Sequence, residues 1–115
     1  PAVKLAHSND EGRTWSAPMT LSSGIPLGRV AVALTDDGAT HVAWLDHNDS
    51  NGRLLIRSLA ADGTVGDTQT LTPMKTDRNS GYPRMIAAGN DLIYAWTDVE
   101  GGSRKVKVGK LKVEN

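Results

Sequence analysis

With 115 residues the chain can build one modest hydrophobic core, so a single domain is the default. Thirteen Lys and Arg against thirteen Asp and Glu leave no net charge, which excludes the basic footprint of a nucleic-acid binder or of a protein held to anionic lipid. Absence of cysteine excludes disulfides, thiolate catalysis and cysteine-ligated zinc; with no apolar run near the ~20 residues of a membrane helix and no signal peptide, the expectation is a soluble, already processed chain with neither a nucleic-acid nor a membrane partner.

Alternation over Ala2-Val3-Lys4-Leu5-Ala6-His7 predicts a first strand. It leads into Ser8-Asn9-Asp10-Glu11-Gly12-Arg13-Thr14-Trp15, a stretch with its own reason to turn. Ser8 and Asp10 carry short oxygens that accept bonds from backbone N–H groups just downstream, and Gly12 supplies a positive φ. The Thr14 hydroxyl can tie back to Asp10, while Trp15 is expected to bury its ring and anchor the turn on the sheet. Ala17 to Leu21 form the returning strand.

Ser22 to Pro26 break the pattern, and Pro26 argues against ladder pairing there. Arg29 to Leu34, apolar after its first residue, predicts a strand buried on both faces. Asp36-Asp37-Gly38 turns the chain. Thr40 to Leu45 is the next strand, Asp46 to Gly52 a polar loop, Arg53 to Leu59 a strand, Asp62-Gly63 a turn, and Asp67 to Thr72 a strand; Pro73 to Gly81 reads as loop.

From Tyr82 the pattern starts again. Arg84 to Ala88 matches Arg29 to Ala33 at an offset of 55 residues, and Tyr94-Ala95-Trp96-Thr97-Asp98 matches Val42-Ala43-Trp44-Leu45-Asp46 at an offset of 52. Arg104 stands after Trp96 much as Arg53 stands after Trp44, so the third strand repeats too. In the other direction Ser8, Thr14, Thr20 and Leu21 recur as Ser58, Thr64, Thr70 and Leu71, an offset of 50. The unit is four short strands in roughly 50 residues, the span of a propeller blade. Two strands of one unit, four of a second and three of a third, ending in Lys105 to Val113, are expected.

Ser8, Asp10, Gly12, Thr14 and Trp15 match the Asp-box, or bacterial neuraminidase repeat, and the chain resembles the sialidase-like β-propellers that carry it. In that family the box is structural, lies between the third and fourth strands of a blade and away from the active site, and also occurs in proteins that are not sialidases. The resemblance implies an all-β fold, a partial β-propeller of four-stranded antiparallel blades, with about two and a quarter blades present. Residues 1–24 would end one blade, 25–75 form a complete blade, and 76–115 give three strands of a further one. Too few for a ring, they are expected to be the C-terminal part of a longer protein, or one of several copies that close a circle together. A secreted or periplasmic location is a further implication. In the second unit the box has decayed, with Ala60, Asp62 and Val65 where Asp10, Gly12 and Trp15 would repeat; Asp62-Gly63 is expected to rebuild the turn.

Arg29 and Arg84 open the first strand of successive units, where two converging guanidiniums would clamp a carboxylate. The resemblance makes them ligand-binding candidates, since sialidases hold the sialic acid carboxylate with an arginine triad. The family's Phe/Tyr-Arg-Ile-Pro motif is absent, however, and Tyr82-Pro83-Arg84 inverts its order. Tyr82 is the candidate for the tyrosine nucleophile that sialidases resemble one another in using. Its assisting glutamate is missing, because Glu11, Glu100 and Glu114 fall in the box turn, an outer loop and the terminus. Ordinary alternatives stand beside these readings: an arginine pairing with an acidic neighbour, and a tyrosine packing beside Pro83.

His41 lies on a strand five residues before Asp46, and with His47 and Asp49 these residues lack a metal-ligand spacing, so a solvated loop rather than a metal or cofactor site is expected after the strand. Asp46 and Asp98, each two residues past a tryptophan, are read as bonding backbone at the blade edge, with an acidic group serving a site at a channel mouth as the alternative. Trp44 and Trp96 are read as core, and Asn48-Asp49-Ser50 is a formal glycosylation acceptor. The functional expectation is an Asp-box propeller segment acting as scaffold or as a glycan- or protein-binding surface, with no complete active site in this chain; the alternative is part of a sialidase-type glycoside hydrolase whose other catalytic residues lie on missing blades. Expected partners are a carboxylate sugar of the sialoside kind and other blades or further copies of the chain.

Overall fold

A computed structural model describes residues 1–48, 51–74, 81–100 and 102–112. All regular structure among them is β: β1 (Lys4–Leu5), β2 (Met19–Thr20), β3 (Ile25–Leu34), β4 (Thr40–Asn48), β5 (Asn51–Leu59), β6 (Gln69–Met74), β7 (Gly81–Ala88), β8 (Asp91–Glu100) and β9 (Ser103–Lys112). They form three antiparallel sheets, β1-β2, β3-β4-β5-β6 and β7-β8-β9, in which every strand pairs with its neighbours in sequence. Such up-and-down connectivity needs only short turns, which the glycines and aspartates supply.

The middle sheet is the core. Alternation along β4 and β5 sends Val42, Trp44 and Leu55 to one face and Ala43, Leu45, Leu54 and Ile56 to the other, because Trp44 pairs with Leu55 and Leu45 with Leu54. On the first face Val3 and Leu21 of the leading segment pack against Val42, Trp44 and Leu55. On the second, Met85 and Leu92, with Ala87, Tyr94, Trp96 and Leu111 beside them, pack against Ala43, Leu45, Leu54 and Ile56. Trp44 and Leu54 are almost completely buried, each such side chain contributing roughly 1.5–3 kcal/mol of apolar transfer. Both central strands are thus covered on two sides, and the sheets stack face to face.

Several expectations are corrected by this arrangement. Pro26 does pair, opposite Asp46, with a register shift between Pro26 and Val30. It is tolerated because β3 is the edge of its sheet, so the missing N–H costs no ladder bond on the open side. The β3 segment is not buried on both faces: Val30, Val32 and Leu34 are 57%, 55% and 66% exposed, since the short first sheet covers β4 and β5 but leaves β3 open. Asp46 to Asn48 and Asn51 to Gly52 are not loop but the paired ends of β4 and β5, with Asp46 opposite Arg53 and His47 opposite Gly52; the rest of the expected loop lies outside the described residues. The returning strand is only Met19–Thr20, and the fourth strand of the middle sheet is shifted two residues later than expected, with Pro73 within it opposite Arg53.

In the third sheet Tyr94 lies across Gly109, its cross-strand partner, and stacks on Trp96 at a centroid distance of 5.5 Å. A Cβ at position 109 would collide with the Tyr94 ring, so glycine there is a packing requirement. The opposite face of this sheet is uncovered, with Ile86, Val106 and Val108 at 61%, 74% and 66% exposure.

Candidate functional site

The turn at Ser8–Trp15 is held by its own side chains. The Ser8 hydroxyl donates to Asp10 Oδ1 at 2.8 Å and accepts from the Gly12 N–H at 2.8 Å. Asp10 accepts from the Thr14 N–H at 2.8 Å and from the Thr14 hydroxyl at 2.6 Å. Gly12 takes a φ of 87°, and Glu11 before it is also left-handed at 62°. The Thr14 hydroxyl, more than any other partner, holds the Asp10 carboxyl down to a pKa of about 2. Trp15 departs from expectation: it is 63% exposed and donates its indole N–H to Gly12 O at 3.1 Å. Its ring folds onto the turn because the two-residue strands of the first sheet offer no surface to bury it.

The arginine candidates occupy different ladder positions. Arg84 pairs with Ala95, whereas the residue opposite Ala43, the repeat counterpart of Ala95, is Ala31. Arg29 lies instead within the register shift of β3, at a φ of 58°, a conformation costing a non-glycine residue on the order of 1–2 kcal/mol. Arg29 is partly buried, Arg84 exposed. The ladder therefore gives an offset of 53 between the first strands, close to the 52 of the tryptophans, rather than one that aligns the two arginines. Tyr82 belongs to β7, but its side chain lies outside the described residues, as do the side chain of Glu100 and the whole of Glu114.

Of the residues weighed as a metal group, Asp49 and the rest of the acceptor sequence past Asn48 lie outside the described residues. Asp46 is fully buried and bonded by Arg53 at 3.1 Å, while Asp98 pairs with Lys107 at 2.8 Å. Both repeated aspartates thus take side-chain cations as partners. Gly24 stands against Asp46, where a Cβ would approach Oδ2 to 2.8 Å.

His41 is where sequence reasoning fell short. It is 2% exposed, with Nδ1 2.6 Å from Ser58 Oγ and Nε2 2.9 Å from Thr35 Oγ1. Thr35 in turn bonds Asp37. Asp37 fixes the direction of the chain. The Thr35 hydroxyl and the Ala39 N–H hold its carboxyl below the usual range, so it is an anion that can only accept, and the Thr35 proton points to it. Thr35 Oγ1 is then left to accept from His41 Nε2–H. Burial lowers the His41 pKa, with Asp37 offsetting part of the effect, so the imidazole is neutral and its Nδ1 bare. Ser58 must donate to that nitrogen. The group opens on a cleft of about 540 Å³ walled by Ala39, Ile56, Gly66, Gln69, Leu111 and Lys112 among others. No spacing rule finds this set, because Ser58 is 17 residues from His41 and meets it only through the β4–β5 register that places them opposite.

Compared with family models, curated proteins and solved structures, the chain matches none of them.

Proposed function

We propose that this chain is a segment of an Asp-box β-propeller, its three sheets serving as successive blades, and that it works as a scaffold or as a glycan- or protein-binding surface. One observation carries the reading. The sheets repeat as a face-to-face stack, and the stack ends on each side in an uncovered apolar face: Val30, Val32 and Leu34 at one end, Ile86, Val106 and Val108 at the other. In ladder register Val32 corresponds to Met85, since they stand opposite Val42 and its counterpart Tyr94. Met85 is buried against the middle sheet; Val32, its counterpart, is open. The side that covers and the side that receives cover are therefore both free on one chain, as expected of a unit in a longer array. A groove of about 450 Å³ between Pro1–Leu5 and β3 opens at the first of these ends.

In this reading further blades, from the rest of a longer protein or from other copies, cover both faces, and a carboxylate sugar would be met on the rim by Arg29 and Arg84. Light scattering on the purified chain is the test. Association that is abolished by Val106→Asp with Val108→Asp is expected; a monomer whose behaviour those substitutions leave unchanged would count against stacking. Release of a fluorophore from a sialoside, lost in Arg84→Ala, would replace the scaffold reading with a hydrolase.

A further inference from the structure

We propose that Ser58 is an activated nucleophile and that the cleft it faces takes the acyl group of small carboxylic esters. This does not depend on how the sheets stack with other copies or blades. Ser58 is the repeat counterpart of Ser8. In the first turn the serine proton is given to Asp10 Oδ1; in the second, Ala60 stands in place of that aspartate and the proton is given to His41 instead. The decay of the box has therefore turned a turn-closing hydroxyl into one aimed at a buried, neutral base. Behind the base, Thr35 and Asp37 fix the ring and its tautomer, as a nucleophile, a base and an orienting group require.

The cleft matches an acyl group in kind. Ile56 and Leu111 give it apolar wall, and its lining also holds the polar side chains of Gln69, Lys112 and Asp67, of which the first two carry N–H groups able to donate to a carbonyl oxygen. As Ser58 Oγ bonds the ester carbonyl carbon, its proton passes to His41 Nδ1. Collapse of the tetrahedral species breaks the bond to the alcohol oxygen, which leaves with that proton. Water then attacks the acyl-serine, gives a proton to His41, and releases the acid as Ser58 recovers its hydrogen. Ser58 and His41 are the catalytic residues; Thr35 and Asp37 are positioning residues.

The experiment treats the whole chain with p-nitrophenyl acetate, follows nitrophenol release and maps the acetyl adduct by peptide mass spectrometry. An adduct on Ser58 is expected, with release slowed about 100-fold in Ser58→Ala. Thr35→Val should slow it roughly tenfold and Thr35→Ser restore it, a pattern tied to the hydroxyl. Acetylation confined to lysines and the N-terminus of the unaltered chain would overturn the proposal, and that map needs no variant to fold. Equal rates for the parent chain and a Ser58→Ala variant of unchanged unfolding midpoint would overturn it as well.

Discussion

The turn after β1 and the turn after β5 begin with the same serine and are closed in different ways. At Ser8–Trp15 the closure is local, with Asp10 gathering bonds from Ser8 and from both donors of Thr14, and even the tryptophan turned inward on the backbone of Gly12. At Ser58–Val65 the aspartate is displaced by two residues. Asp62 accepts from the Thr64 N–H at 2.9 Å, Ala60 and Thr64 bond through their backbones at 2.8 Å, and Gly63 takes a φ of 93°. Leu59 and Val65 form a bridge that continues the sheet. The first turn hangs on a two-strand sheet and must supply its own order; the second is carried by a full sheet, which frees its serine for another partner. A serine in this position takes its role from whether an aspartate follows two residues later.

The largest effect is expected from removing that other partner. His41→Ala takes out a buried ring and leaves two hydroxyls without it, at a cost of about 2–4 kcal/mol by denaturant unfolding. Asp10→Ala should instead leave the unfolding midpoint of the middle sheet nearly unchanged, yet abolish the slow exchange of the Gly12 and Thr14 amides, seen by hydrogen exchange. If it lowered the global midpoint as much as His41→Ala, the local character of the first turn would be refuted.

Acid separates the two regions in a milder way. His41 has a folded pKa below its ordinary 6.5, so the unfolded chain takes up the proton first. The stability this group contributes is present above pH 6.5 and falls as the pH drops below it. Asp10 works in a lower window: its contribution, present above the ordinary value of 3.8, is lost only as the pH falls toward about 2. Titration followed by amide shifts should show the β4–β5 sheet weakening while the Thr14 amide is still held. The smallest change is expected from Ala60→Asp, which offers Ser58 its old partner. The unfolding midpoint should move by under about 0.5 kcal/mol, with the Ser58 hydroxyl now shared and the His41 ring freer in its NMR line shape.

Much of this was legible in the residues themselves. Alternation located the strands, and the short oxygens of Ser8, Asp10 and Thr14 foretold bonds within a few residues of chain. What stayed hidden depended on neighbours distant in sequence. Pro26 reads as a break unless β3 is known to be an edge, and Val30 and Val32 read as core unless the covering sheet is known to stop short of them. His41 reads only as a strand residue without a ligand spacing, since Thr35, Ser58 and Asp37 gain meaning only from the β4–β5 register and the β3–β4 turn. The two arginines seemed equivalent because a shift in register is invisible to an offset count.

The rims of the sheets bear on whether a foreign strand can extend them. Pro26 and a shifted register mark β3, Pro73 lies in β6, Pro83 and another shift mark β7, and β9 carries lysines at 105, 107, 110 and 112. Each is a device that discourages a foreign strand from extending a sheet sideways. Sideways pairing with a foreign strand is thereby disfavoured at the edges, even though Val30, Val32, Val106 and Val108 stand exposed on the sheet faces.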